Sequence, residues 1–294
     1  MKFLSYVLVS AVRNEESYIE KTIQAVVSQT VKPRKWTIVN DGSTDRTGEI
    51  ISQYSLKHDF IQLLNRKSEN IRNFASKVYA IKEGLKSFQG MDYDLIGNID
   101  GDIEFDPGYF ECLLDKFREN YELGIAGGWI YEWQNGKYKE RFGNAEHSVP
   151  GSVQTFRREC FERIGTYLPI KSGGEDCIAE VLARMHGWST RSFPYLRVIH
   201  HRTTGTAKTG VLTARYRRGK EDYFLGYHPL FELLKCLKGY REKPFIIANL
   251  LSFIGYTSSL LNKEPISVPQ HVIEYLRKEQ LGRIRSMIEK IKFR

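Results

Sequence analysis

The sequence predicts an α/β protein with a mostly parallel central sheet flanked by helices, followed by a helical C-terminal extension. Three observations carry that expectation. Through the first half, apolar runs of strand length alternate with stretches whose apolar residues recur at helical spacing. Two of those runs, residues 36–39 and 94–99, lead directly into acidic turns, Asn40-Asp41 and Asp100-Gly101-Asp102. From about residue 205 the chain turns basic and helical, which sets the expected domains at 1–204 and 205–294.

Residues 5–12 form the first apolar run. After Lys2 this run imitates a short signal peptide, with Ser10-Ala11 as a weak cleavage site. It reads instead as a buried strand, because Arg13-Asn14-Glu15-Glu16 continues into a helix and cleavage would discard a core strand. Asn14 is expected to cap that helix, with Glu15 and Glu16 in its first turn and Ile19, Ile23, Val26 and Val27 inward. Pro33 ends the unit. Residues 36–39 are the second strand, and the turn from Asn40 to Asp45 opens a helix running to about Tyr54. Residues 61–64 read as a strand, 75–85 as a helix and 94–99 as the fourth strand. Asp106 and Pro107 are expected to cap a helix that places Phe110, Leu113, Leu114, Phe117 and Tyr121 on one face.

The second half is less regular. Residues 125–133 read as a strand, 157–164 as a short helix and 195–200 as a further strand. Between the last two, Gly173-Gly174-Glu175-Asp176 opens a helix with Ile178, Val181, Leu182 and Met185 inward. In the basic tail, residues 245–261 carry no charge, follow Pro244 and are bordered by Arg241, Lys243 and Lys263. That stretch is shorter than the about 20 residues a spanning helix needs, so it reads as a buried or an interfacial helix.

The 294 residues, 41% hydrophobic and 27% charged, suffice for one large domain and an appendage, and exclude general disorder. Four scattered cysteines without a CxxC pair exclude a cysteine-built zinc site and fit a reducing, cytoplasmic compartment. The net charge of +9 is uneven: residues 202–294 hold 18 basic and 8 acidic side chains, the remainder 26 and 27. A basic C-terminal third suits an anionic partner, either a diphosphate or an anionic lipid surface on the inner face of a membrane. Nucleic acid is not the expected partner, because no aromatic-basic binding motif appears.

Asp100 and Asp102 can converge on one hard cation, Mn²⁺ or Mg²⁺, if the chain turns between them, which Gly101 is expected to ease. In parallel sheets, ligands sit beyond the carboxyl ends of the strands. Both acidic turns lie there, so the site is expected to face solvent. Glu175-Asp176 stands in the first turn of a helix, where the positive end of the dipole favours ionised carboxylates and one residue can serve as a base. His200-His201 ends a strand; side chains alternate, so only one faces the site, and His200 is the expected one.

Taken together, these pieces resemble the family 2 inverting glycosyltransferases of GT-A fold. The motifs are Ser10 to Glu16, Val39 to Thr47 (VNDGSTDRT), Asp100-Gly101-Asp102, Pro150-Gly151 ahead of Phe156-Arg157-Arg158, Gly174-Glu175-Asp176 and His200. The resemblance implies that Asp41 reads the nucleotide base, Asp100 binds ribose or metal, Asp102 binds metal and His200 makes a late metal or diphosphate contact. It makes Asp176 the catalytic base, places Glu175 beside the substrate, and puts Lys77 where related polymer synthases have a nucleotide-reaching GK pair. Asn40 replaces the first aspartate of the common VDDGS, and Ala11-Val12-Arg13 lacks the usual proline. Thr213-Ala214-Arg215-Tyr216 stands where processive enzymes carry QxxRW, which implies single addition, with Arg215 a second contact to the diphosphate. The implied partners are a nucleotide-diphosphate sugar and a glycan or lipid-linked acceptor. Two rivals fare worse: a nucleotidyltransferase needs a Gly-rich basic first loop, and a Walker A protein needs GxxxxGK[ST]; neither occurs.

Overall fold

The computed structural model describes residues 4–67, 74–134, 136–141, 143–202, 211–238 and 245–292. Two compact units emerge: residues 1–171 with 175–203, and residues 172–174 with 204–294. The boundary expected at 204/205 lies outside the described residues, as do Arg241, Lys243 and Pro244.

The first unit is built on one sheet. Its strands are β1 (Tyr6–Val12), β2 (Lys35–Asp41), β3 (Ile61–Arg66), β4 (Leu95–Ile99), β5 (Ile103–Phe105), β6 (Leu123–Gln134), β7 (Lys137–Glu140), β8 (Val153–Arg157) and β9 (Ser189–His200). Their order is β3-β2-β1-β4-β8-β6-β9-β5, with β7 pairing β6 off the path. β3, β2, β1 and β4 run parallel, as the alternating pattern predicts. The other half is mixed: β8 is antiparallel to β4 and β6, β6 runs parallel to β9, and β5 is antiparallel to β9. β1 sits inside the parallel half, which suits its unbroken apolar run.

Helices α1 (Ile19–Val27), α2 (Thr47–Ser55), α3 (Phe74–Leu85), α4 (Tyr109–Glu119), α5 (Arg158–Arg163) and α6 (Glu175–Met185) accompany the sheet. Leu8, Trp36 and Ile38 join Ile19, Ile23 and Val26 of α1 and Phe110, Leu113 and Phe117 of α4 in the main core. Tyr6 stacks on Phe110 at 4.5 Å between ring centroids. The buried Ser10 hydroxyl accepts a 3.0 Å bond from the Trp36 indole N–H, so this polar side chain inside β1 is satisfied.

Several local expectations are corrected. Asn14 does not cap α1, whose N-cap is Tyr18 with no side-chain bond. Asn14 instead adopts φ +55, a conformation asparagine tolerates, and its Oδ1 accepts the Thr44 N–H at 2.8 Å. It staples the loop after β1 to the loop after β2. Asp106 and Pro107 do not cap α4, where Gly108 occupies that position; Tyr121 lies past the helix end and is exposed. Gly101 has no left-handed backbone; a Cβ there would fall 2.7 Å from Val12 Cγ1, so close contact, not the turn, demands glycine.

The second unit is helical in its described residues: α7 (Val211–Phe224), α8 (Pro229–Lys238), α9 (Phe245–Leu261) and α10 (Gln270–Lys292). α7 packs along α9, and α8 packs on α9. Asp222 and Glu232 are fully buried there, with Lys235 donating to Asp222 and forming an ion pair with Glu232 at 2.7 Å. Among the described residues, no helix is long and apolar enough to cross a membrane.

Candidate active site

Strand ends gather the acidic side chains. Asp41 terminates β2, and Asp100 and Asp102 follow β4. Pairing of Ile103 with His200 across β5 and β9 brings the end of β9 beside Asp102, and the His201 N–H donates to the Asp102 carbonyl at 3.0 Å. As a result, Asp100, Asp102 and His200 each offer a ligand atom, all within 4.8 Å of one another. Two carboxylates and one imidazole form an oxygen-rich donor set that suits Mn²⁺ or Mg²⁺, so the residues fit a divalent cation.

Strand alternation separates the histidines. His200 is buried, its Nε2 3.2 Å from Asp102 Oδ1 and its Nδ1 3.9 Å from Glu132 Oε1. His201 turns away to Glu104 at 3.0 Å and stacks on Tyr18. The expected solvent-facing site is corrected: Asp102 is only 6% exposed and His200 8%. Desolvation works against the His200 imidazolium, but its interactions with the Asp102 and Glu132 carboxylates outweigh it and push the pKa up to about 9. Desolvation works against the Asp102 carboxylate too, and His200, Arg202 and Lys77 together hold its pKa below the usual range. Arg202 reaches both Asp102, at 3.7 Å, and Glu15. Burial and then the nearby Asp102 push the Glu15 carboxyl up to about 7, against the opposing charge of Arg202.

Lys77 connects this cluster to the helix at Glu175. Its Nζ donates to Asp100 Oδ1 at 2.6 Å. Burial opposes the ammonium, yet Asp100, Glu175 and Asp176 together raise it above the usual lysine range. Glu175 is buried at the start of α6, and desolvation, with the Asp176 charge added, lifts its carboxyl to about 7 against the pull of Lys77. Asp176 Oδ1 accepts the Cys177 N–H at 2.8 Å. Its Oδ2 lies where a Gly151 Cβ would come within 2.4 Å, so the Pro150-Gly151 turn leaves room that any larger residue would take from the carboxylate. That turn is anchored by Asn98 Nδ2, which donates to the Gly151 carbonyl at 3.0 Å.

Asp41 stands beyond these contacts, buried and held by Arg66 Nη1 at 2.6 Å. Asn40 has a building role in the same turn: its Oδ1 accepts the Ser43 N–H at 3.1 Å and its Nδ2 donates to Asn65 at 3.0 Å. Arg215 lies on α7 in the second unit, where burial and the neighbouring Arg218 lower its pKa. Sequence reasoning assigned no role to Arg66, Glu132 or Arg202. Glu132 carried a usable signal, an acid inside an otherwise apolar strand, whereas Arg66 and Arg202 are ordinary surface types until the fold pairs them with carboxylates.

A sheet with acidic strand ends, a carboxylate–histidine cluster and a helix-borne acid pair defines a glycosyltransferase of GT-A fold. The family model described as Glycosyl transferase family 2 matches residues 8–172, more than half of the chain, and the protein belongs to that family. The match stops short of Asp176 and His200. Among curated proteins, the poly-beta-1,6-N-acetyl-D-glucosamine synthase of Staphylococcus epidermidis is 29% identical over 115 residues, covering 39% of this chain and 26% of the synthase. The uncharacterized glycosyltransferase YkcC of Bacillus subtilis is 32% identical over 128 residues, 42% of this chain and 37% of YkcC. The aligned segments thus span well under half of these relatives.

Solved structures agree on the fold. The mannosyltransferase PcManGT from Pyrobaculum calidifontis, in complex with GDP-Man and Mn²⁺, superposes with a TM-score of 0.58 at 14% identity, over 94% of this chain and 79% of its own. TarS 1–349 of S. aureus, in complex with UDP-GlcNAc, gives 0.55 at 11% identity, over 98% of this chain and 92% of its own.

Proposed function

We propose that the chain transfers one sugar from a nucleotide-diphosphate donor to an acceptor hydroxyl in glycan or polysaccharide biosynthesis, with inversion at the anomeric carbon. The observation that carries this reading is Lys77, a cation held by Asp100 of the metal-type cluster while feeling the charge of Glu175 and Asp176. It ties a diphosphate-type subsite to a carboxylate pair suited to the acceptor.

In this reading Asp176 takes the proton from the attacking hydroxyl as the oxygen closes on C1, and the nucleotide diphosphate departs from the opposite face. Glu175 lies beside it on the acceptor side. Asp41 contacts the base and Asp100 the ribose, while Lys77 supplies positive charge toward the diphosphate. Asp100, Asp102 and His200 would hold Mn²⁺ or Mg²⁺, and a bound divalent cation supplies charge that neutralises the diphosphate oxygens. Domains 1–204 and 205–294 then correspond to a donor-binding catalytic part and a basic part suited to the cytoplasmic face of a membrane, where a lipid-linked acceptor resides. PcManGT holds GDP-Man and TarS holds UDP-GlcNAc, so the donor panel for this chain needs both nucleotides.

Thermal-shift measurements against UDP-, GDP- and dTDP-sugars, with and without Mn²⁺, test the reading. One donor class is expected to raise the melting temperature only with metal, and NMR of the product should show the inverted anomer. No stabilisation by any donor with metal present, or a retained anomer, would refute it.

A further inference from the structure

We infer that the outer face of α9, with the neighbouring stripe of α8, seats the protein on an anionic lipid surface. This deepens the membrane side of the proposed function by naming the docking surface, and it stands on the second unit alone.

The helix is built inside out. Ile247, Leu250, Ile254 and Leu261 recur three, four and seven residues apart and are 57, 54, 43 and 81% exposed. The buried side instead carries Ala248, Ser252, Gly255, Tyr256 and Ser259. In a helix that packs on a water-soluble core, the large aliphatic residues face inward and the small and hydroxyl residues face out. Here the order is reversed.

Its contact with α7 follows from that reversal. A Cβ at Gly219 of α7 would lie 1.7 Å from the Ser252 carbonyl, and one at Gly255 of α9 would lie 2.1 Å from the Tyr216 carbonyl. The two backbones touch through paired glycines, the close approach that helices use where the surrounding medium is itself apolar. Meanwhile α8 repeats the outward stripe with Leu230, Leu233 and Leu237, all exposed.

Charge selects the occupant. No charged residue interrupts residues 245–261, and residues 202–294 hold 18 basic against 8 acidic side chains. Exposed Arg217 and Arg218 on α7 contribute to that excess. A second copy of this face would bring two such surpluses together, at an electrostatic cost. An anionic headgroup layer complements it while the aliphatic side chains enter the acyl boundary. α9 has 17 residues and does not qualify as a span, so it lies along the surface rather than through it.

The test is flotation of the full chain with vesicles of phosphatidylcholine, and of phosphatidylcholine mixed with phosphatidylglycerol. Binding to the mixed vesicles is expected, weakened by salt, with little binding to phosphatidylcholine alone. The double substitution Leu250→Glu and Ile254→Glu, at exposed positions, should lower the partition coefficient roughly tenfold or more. The milder Leu250→Ser and Ile254→Ser pair should give a smaller loss at an unchanged melting temperature, which separates docking from misfolding. Donor-induced thermal shifts in the same samples should be unaffected, so failure of the catalytic reading and failure of this one show up in different measurements. Recovery of the wild type in the soluble fraction with mixed vesicles at low salt would overturn the inference. So would equal flotation of wild type and both variants, or a lipid-free oligomer that the glutamate pair dissolves.

Discussion

Lys77 Nζ lies 2.6 Å from Asp100 Oδ1, and this ion pair joins two sets of carboxylates, at Asp100 and at Glu175-Asp176, that are far apart in the sequence. Without the ammonium, Asp100, Glu175 and Asp176 would lose a cation that feels all three charges and offsets their repulsion. Lys77→Met should therefore weaken donor binding and lower kcat/KM by roughly 10²–10³, the range seen when a charge-stabilising donor is lost. Calorimetric titration of donor with Mn²⁺ present checks the binding half. An unchanged affinity would remove Lys77 from the donor site.

The metal cluster calls for a conservative substitution. Asp102 is buried against His200 and Arg202, so Asp102→Ala would leave a gap beside both and confound activity with folding. Asp102→Asn keeps the shape and removes the charge. Metal-dependent donor stabilisation should vanish in this variant. His200→Ala should weaken Mn²⁺-dependent donor binding far more than His201→Ala, because His201 is engaged with Glu104. Equal effects of the two histidine variants would count against the cluster as the metal site.

Much of this was legible in advance, for identifiable reasons. The parallel half of the sheet was readable because buried parallel strands are unbroken apolar runs, as in Leu8, Ile38 and Ile96. β5 was not, since three residues directly after Asp102 give no period to count. β8 was hidden because Gln154 and Thr155, both fully buried, look like loop residues until they pair with β4. His200 was separable from His201 by strand alternation alone. Arg66, Arg202 and Gly151 needed the fold, because their partners lie 25, 187 and 25 residues away in sequence.

The base can be located to a single carboxylate. Asp176→Asn should preserve donor binding and reduce kcat by roughly 10²–10⁴, the usual contribution of general base catalysis. Glu175→Gln should act mainly on acceptor KM. Gly151→Ala offers an independent check, since its methyl would press on Asp176 Oδ2 and displace it without changing any charge. It should lower kcat while donor affinity stays within about twofold of wild type, because a displacement of about an ångström at the reacting group is costly. A severe Glu175→Gln defect beside a benign Asp176→Asn would move the base by one residue.

The pH dependence of stability singles out Glu180. Its side chain is 5% exposed, accepts the Val149 N–H, and has Arg184 at 3.8 Å as its nearest described cation. Burial pushes its carboxyl up to about 7, against the Val149 bond and Arg184, which favour the charged form. The folded state therefore binds more protons than the unfolded chain between pH 4.5 and about 7, and stability falls as pH rises across that window. The loss from this one group levels off above pH 7 at a value on the order of 3 kcal/mol. Glu15 and Glu175 are displaced in the same direction, so the wild-type profile alone does not isolate Glu180. Glu180→Gln does, because its amide oxygen still accepts from Val149 and carries no charge at any pH. Urea unfolding should find the variant close to wild type near pH 4.5 and more stable than wild type at pH 8. A variant less stable than wild type at pH 8 would show that the Arg184 pairing outweighs burial and that Glu180 is ionised in the fold.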